Sequence, residues 1–284
     1  MQTNQAPLIE LTEEIPLPAY DLVPKGAYKM FSFESSRGCV GNCTFCSIIF
    51  KKCWRGFSAD TVMDRLSETE SIMNSKITAK ELDFTDDYFT GNIDRAKSIL
   101  SKMSKTKFVE YSFLIESRLK NLYDLELIAL LRKFPYISIQ VGIECGYDQG
   151  LHTIKKGIKY SDIIKVAEIL YKNNLNSRAL FSFIIGFPWE TKENILMTVK
   201  TVGLLKSKYN LNINCVWWLA MPSPEFDRLK EINPNVSEKI FNQIDWHKDN
   251  EVFYQTHPNV NRDDCIEINK IVEIYGSLGY ALKF

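Results

Sequence analysis

Between Phe33 and Arg55 the chain reads FESSRGCVGNCTFCSIIFKKCWR, with Cys39, Cys43 and Cys46 in a C-x3-C-x2-C spacing. Thiolates this close in sequence can converge on one metal centre, and thiolate is the soft ligand that iron–sulfur clusters and zinc select. Three ligands are one short of a closed site. If the centre is a four-iron cluster, one iron stays open to a small-molecule ligand. Cys53, seven residues past Cys46, is the candidate fourth ligand of a closed structural site. Its spacing matches neither the paired C-x2-C zinc pattern nor the ferredoxin runs.

The elements that must position such a loop follow from the rest of the chain. Its 284 residues suffice for one full-sized domain with a small appendage. Lys plus Arg equals Asp plus Glu, 35 each, so nothing points to bulk nucleic-acid binding. No apolar run approaches a membrane span. The start, MQTNQAPLIELTEE, has neither the basic nor the apolar segment of a signal peptide. Seven cysteines without such a signal suggest a reducing cytoplasm and metal or redox chemistry.

Residues 1–28 read as an arm or linker, punctuated by Pro16, Pro18 and Pro24. From residue 29 apolar strands alternate with amphipathic helices. The strands are expected at Lys29–Glu34, Glu81–Thr85, Phe108–Ile115, Tyr136–Ile143, Arg178–Ile185 and Leu211–Ala220. Ser58, Asn92, Ser161 and Thr191 are the expected helix caps. Six strand–helix alternations with near-continuous apolar strands predict an α/β fold, a parallel sheet covered by helices over 29–222. Right-handed crossovers would curl it into an open barrel. Residues 223–284 read as a C-terminal extension of loops and one or two helices, capping the barrel.

In a parallel barrel, chemistry collects at the carboxyl ends of the strands. There the chain carries Asp86-Asp87, Glu116-Ser117-Arg118, Gly142-Ile143-Glu144-Cys145-Gly146 and Gly186-Phe187-Pro188-Trp189-Glu190-Thr191. Asp86 and Asp87 can hold an ammonium group, or form a helix-capping turn. Arg118 offers a fork for a carboxylate, or is a surface arginine. Glu144 can accept from ribose hydroxyls, or pair with Lys155 or Lys156. Gly142 and Gly146 would let a ligand approach the backbone. Trp217 and Trp218 are a candidate pocket wall or plain core.

The cysteine loop, with Phe45 in the aromatic slot before the last cysteine, resembles that of the radical S-adenosylmethionine (SAM) superfamily. The resemblance runs over residues 14–226 and implies a partial (β/α)6 TIM-type barrel with parallel strands. The segment IPLPAYDLVP and the Asp-Asp-x-Phe at 86–89 resemble the subgroup whose linker joins a cobalamin-binding domain to this core. Almost nothing precedes that linker here, so a member without the cobalamin domain is expected. The resemblance implies a [4Fe-4S] cluster on Cys39, Cys43 and Cys46, with SAM chelated at the open iron and cleaved reductively to a 5'-deoxyadenosyl radical. It implies that Asp86 and Asp87 meet the SAM amino group, Glu144 the ribose, and Ile184 and Gly186 the adenine. It also implies an electron donor such as flavodoxin or ferredoxin. The substrate is expected to be a peptide or other natural product, epimerised or cyclised after hydrogen abstraction, with Cys145, Cys215 or Cys265 as candidate hydrogen donors. The alternatives are a cobalamin-dependent methyltransferase and a non-catalytic, metal-stabilised binding protein.

Overall fold

The structure is a computed structural model that describes residues 9, 11, 15–76, 80–232, 254, 257–275 and 278–280. In chain order its elements are β1 (Phe31–Phe33), β2 (Ser36–Arg37), β3 (Arg55–Gly56), α1 (Ala59–Met73), β4 (Glu81–Phe84), α2 (Ile93–Met103) and β5 (Ser112–Ser117). Then come α3 (Leu125–Leu131), β6 (Ile137–Glu144), α4 (Asp148–Thr153), α5 (Tyr160–Lys172), β7 (Ala179–Ile185), α6 (Lys192–Tyr209), β8 (Asn212–Trp217), α7 (Pro224–Ile232), α8 (Arg262–Ile274) and β9 (Leu278–Tyr280). No described helix is long and apolar enough to cross a membrane.

The chain divides into two compact units. The first holds the described residues up to Val40, Phe50–Glu116 and Ala129–Ile137. Its strands run β1, β4, β5, all parallel, with Phe31 beside Leu82 and Glu81 beside Ser112. Alternate residues point inward, so Phe33, Phe84 and Phe113 meet edge to face at centroid distances of 5.8 and 5.9 Å. Ser58 caps α1 by accepting from the Thr61 N–H, and Asn92 caps α2 by accepting from Arg95. The arm is tied down at both side chain and backbone: its Tyr20 Oη donates to the Ser32 carbonyl, and its Ile15 carbonyl accepts from Arg65, each at 2.5 Å.

The third strand starts later than its apolar residues predict. Lys107–Glu110 form a 3-10 turn, capped by Thr106 and plugged by buried Phe108, and β5 then runs on to Ser117. Glu116 therefore belongs to the strand, and Arg118 is the first residue past it.

The second unit holds Gly41–Ile49, Ser117–Ile128 and the described residues from Ser138 on. Its strands run β6, β7, β8, β9, again parallel, with Ile139 beside Ala179 and Ile185 beside Trp217. Strand β9, pairing Leu278 with Cys215, is an addition: three residues carry no alternation to read. The cap of α5 also moves. Ser161 lies inside the helix, because the Asp162 carboxylate reaches back to the Lys159 N–H at 2.8 Å and starts the helix at Tyr160. Beyond α7 the segment NPNVSEKIFNQIDWHKDN lies outside the described residues.

Candidate functional site

The first unit carries Cys39 and the approach to it. Gly38 has φ +79°, and a Cβ there would stand 2.4 Å from the Cys53 carbonyl oxygen and 2.8 Å from that of Phe50. The turn into the loop thus requires glycine. Cys39 N–H donates to Phe50 O at 3.1 Å, and Cys53 N–H to Cys39 O at 3.3 Å. Cys53 Sγ accepts from Arg55 Nη1 at 3.5 Å.

Asp86 is buried, and its carboxylate is committed. Oδ1 accepts the Ser35 N–H at 2.7 Å, while Oδ2 accepts the hydroxyls of Ser35 and Ser36 at 2.5 and 2.6 Å. Burial raises its pKa against those hydrogen bonds. Asp87 Oδ2 accepts the Gly38 N–H at 2.9 Å. Arg95 grips the same segment, with Nε on Phe57 O at 2.5 Å and Nη2 on Ser35 O at 2.6 Å, its guanidinium over the Trp54 ring. The capping role open to the aspartates belongs to Asn92 instead.

The second unit carries Cys43, Phe45 and Cys46. Cys43 is buried, and its Sγ lies 3.9 Å from the Lys155 carbonyl oxygen. Thr44 is fixed at three points: its N–H donates to Ile154 O, its carbonyl accepts from Glu225 N–H, and its hydroxyl donates to Glu225 Oε1 at 2.6 Å. The Phe45 ring packs against Phe187 at 6.0 Å and lies under Lys156 Nζ at 5.6 Å. Cys46 N–H turns back to Cys43 O, and Cys46 Sγ accepts from Ile48 N–H.

Glu144 ends β6 with φ +70°, a conformation a non-glycine residue rarely adopts. Such strain collects at functional sites. Its Oε1 accepts from buried Lys156 Nζ at 2.9 Å, so the ion pair open from sequence is made. Burial opposes the lysine's charge, but Glu144 together with the Cys43 sulfur outweighs it and holds the ammonium above its ordinary pKa. Gly142 makes room for this pair, since a Cβ would meet Glu144 Oε1 at 2.4 Å; Gly146 makes room for Thr201 of α6. Both glycines thus accommodate the chain's own side chains. Arg118 Nη2 donates to Lys156 O at 2.6 Å.

Ile184 is half-buried near the end of β7. Gly186 follows with φ +79° and faces Trp217 and Tyr254, where a Cβ would stand 2.5 and 2.9 Å away. Glu190, wholly buried, locks this turn: Oε2 accepts the N–H groups of Gly186 and Phe187, and Oε1 accepts Tyr147 Oη at 3.0 Å. Burial pushes its carboxyl up to about 7. Trp217 is core, donating to Asn269 Oδ1 at 2.7 Å, and Trp218 is buried beside Phe187. Half-buried Trp189 stacks on Phe187. Cys145, Cys215 and Cys265 have no accessible surface, and burial pushes the thiols of Cys215 and Cys265 up to about 12.

Glu225 and Arg95 are the contributors that residue types alone do not single out. Among the described residues no three His, Cys, Asp or Glu side chains are grouped as a metal site. The donor chemistry of the loop nonetheless fits a cluster: three thiols within eight positions, on a turn that only glycine can open.

A chain of Pyrococcus horikoshii described as an uncharacterized methyltransferase is 36% identical over 210 residues, which is 72% of this chain and 44% of the relative. This chain therefore spans less than half of that relative's length. Among solved structures, the cobalamin-dependent SAM radical enzyme OxsB, with aqua-cobalamin and SAM bound, superposes with TM-score 0.56 at 17% identity, covering 73% of this chain and 30% of that one. The radical SAM methyltransferase TsrM of Kitasatospora setae, with cobalamin and a [4Fe-4S] cluster, gives 0.57 at 15%, covering 72% and 37%. These likenesses show the fold, an α/β partial barrel. The radical SAM superfamily pattern matches residues 33–202, and the chain belongs to that superfamily.

Proposed function

We propose that this chain is the catalytic core of a cobalamin-using radical SAM methyltransferase. Cys39, Cys43 and Cys46 hold a [4Fe-4S] cluster with SAM at its open iron. When bound, that pair supplies one-electron cleavage of a sulfonium C–S bond. The observation that carries the reading is the cysteine loop itself, held by glycine at 38 and by three hydrogen bonds at Thr44.

The surrounding residues bind and orient SAM. With Asp86 committed to Ser35 and Ser36, Asp87 is left to meet the amino group. Arg118 takes the carboxylate, the Glu144–Lys156 pair the ribose hydroxyls, and Ile184 with Gly186 the adenine. Phe45 packs beside the last cysteine and keeps water from the loop. An electron donor such as flavodoxin or ferredoxin supplies the reducing equivalent.

Methyl transfer is favoured over epimerisation or cyclisation of a peptide for two reasons. The relative from Pyrococcus horikoshii carries the methyltransferase name. A thiol that quenches a substrate radical must meet the substrate, and Cys145, Cys215 and Cys265 are enclosed like small hydrophobes.

The test is anaerobic reconstitution with iron and sulfide, then addition of SAM, cobalamin and a strong reductant. The expected result is a four-iron paramagnetic signal that SAM perturbs, cobalamin that stays with the protein through gel filtration, and loss of the signal in Cys43→Ala. Failure to assemble any four-iron cluster overturns the reading. A cluster that cleaves SAM in a protein that retains no cobalamin returns the choice to peptide rearrangement.

A further inference from the structure

We propose that Glu225, in the first turn of α7, is the positioning residue that sets the cysteine loop between Cys43 and Cys46. The inference rests on the reading of that loop as the cluster's ligand.

Glu225 is buried to 2% exposure. An enclosed carboxylate is costly unless its oxygens are paired. Oε1 accepts the Thr44 hydroxyl at 2.6 Å, and Oε2 accepts the Trp189 indole N–H at 3.1 Å, with Arg228 Nη1 at 3.6 Å. The helix dipole explains an acidic residue in a first turn, and exposed Asp227 meets that preference. It does not explain a carboxylate turned inward onto a loop residue 181 positions away.

The contact is reciprocal. Glu225 N–H, one of the donors a helix start leaves without an intrahelical partner, goes to the Thr44 carbonyl at 3.1 Å. Thr44 returns its hydroxyl to the Glu225 carboxylate. With Thr44 N–H on Ile154 O, every polar group of Thr44 is fixed. Cys43 precedes it by one residue and Cys46 follows by two, so fixing Thr44 fixes where both thiols leave the backbone.

The pairing also closes a ring. Trp189, held by Glu225, stacks on Phe187 at 5.6 Å with planes 5° apart. Phe187 packs on Phe45, which is covalently next to Thr44. A group pressing on half-buried Trp189 therefore reaches the loop by two routes, through the carboxylate and through the rings. Glu225 is thus the point at which a group resting on Trp189 would alter the presentation of the thiols.

The experiment compares wild type, Thr44→Val, Glu225→Ala and the double variant. Amide exchange over residues 41–49 is read by mass spectrometry in protein without a cluster. Each single variant is expected to speed exchange there about tenfold, the loss expected when a hydrogen bond to a charged group is removed. The double variant should do no more than either single, because both cut the same link. Exchange over α1 should not change. After reconstitution to equal iron content, Glu225→Ala should alter the g-values of the reduced cluster. Unchanged exchange over 41–49, or additive effects of the two variants, overturns the proposal. If Glu225→Ala does not fold, Thr44→Val, isosteric and with Glu225 still on Trp189, decides alone by the same exchange readout. A wild type that assembles no four-iron cluster sinks the reading of the loop as a cluster ligand, while the exchange comparison still decides whether Glu225 holds Thr44.

Discussion

The first unit holds its part of the cysteine segment by charge; the second holds its part largely by rings. Around Ser35 to Cys39 the anchors are two carboxylates and a guanidinium, with Asp86 accepting three hydrogen bonds and Arg95 donating two. Around Cys43 to Cys46 the anchors are Phe187 and Lys156 on the Phe45 ring, with one carboxylate on Thr44. Charged hubs buried from water tolerate little change, because any lost partner leaves another group unsatisfied. Ring contacts are individually weak and geometrically forgiving. The first arrangement suits a fixed turn. The second suits a loop that adjusts to what it is proposed to bind.

Variants can break that contrast, and the hub should give the largest effect. Asp86→Ala strips three buried donors of their acceptor and should lower stability by about 4 kcal/mol, seen as a lower urea midpoint. A value near that of a surface substitution would mean the hub is not the anchor. Lys156→Met leaves Glu144 as an uncompensated buried charge and should cost about 3 kcal/mol. Adding Glu144→Gln should restore most of it; a double variant worse than the single would show that the pair is not isolated.

Glu190 gives a pH signature for the second unit. Its carboxyl titrates at about 7 in the folded chain against an ordinary 4.5, so the folded state holds the proton more tightly. The stabilisation is complete below pH 4.5 and is lost as pH rises to about 7, amounting to about 3 kcal/mol across that window. Glu190→Gln keeps an acceptor for Gly186 and Phe187 and should flatten that part of the melting-temperature profile; an unchanged slope would assign it to another group. The smallest effect is expected at Phe45→Leu, about 1 kcal/mol from the ring and cation contacts. It should weaken SAM binding while iron is retained, and loss of all iron would count against the role given to Phe45.

The strands were legible because parallel strands enclosed by helices are apolar almost throughout, as in RALFSFII. Element edges moved where a polar side chain captured a backbone N–H, at Thr106 before strand β5 and at Asp162 at the start of helix α5. At the site, residue types at strand ends were legible and their partners were not. Nothing beside Asp86 in sequence says that Ser35 and Ser36 will occupy its oxygens, and nothing in Pro224-Glu225 names Thr44. Glycines 142 and 146 read as openings for a ligand and proved to be openings for Glu144 and Thr201, since a missing Cβ does not say what fills the space.

The reciprocal pair between Thr44 and Glu225 also imposes a schedule. Asp86 is 51 residues from Ser35, but Glu225 is 181 from Thr44. At translation speeds of about 5–20 residues per second, the early cysteines wait roughly ten to forty seconds for the helix that shapes their loop. Non-local closure of this kind is also slow in itself. If Cys39, Cys43 and Cys46 hold the cluster as proposed, metal insertion into a finished loop is a late event, and during synthesis three thiols stand in an unshaped segment, exposed to oxidants and stray metal ions.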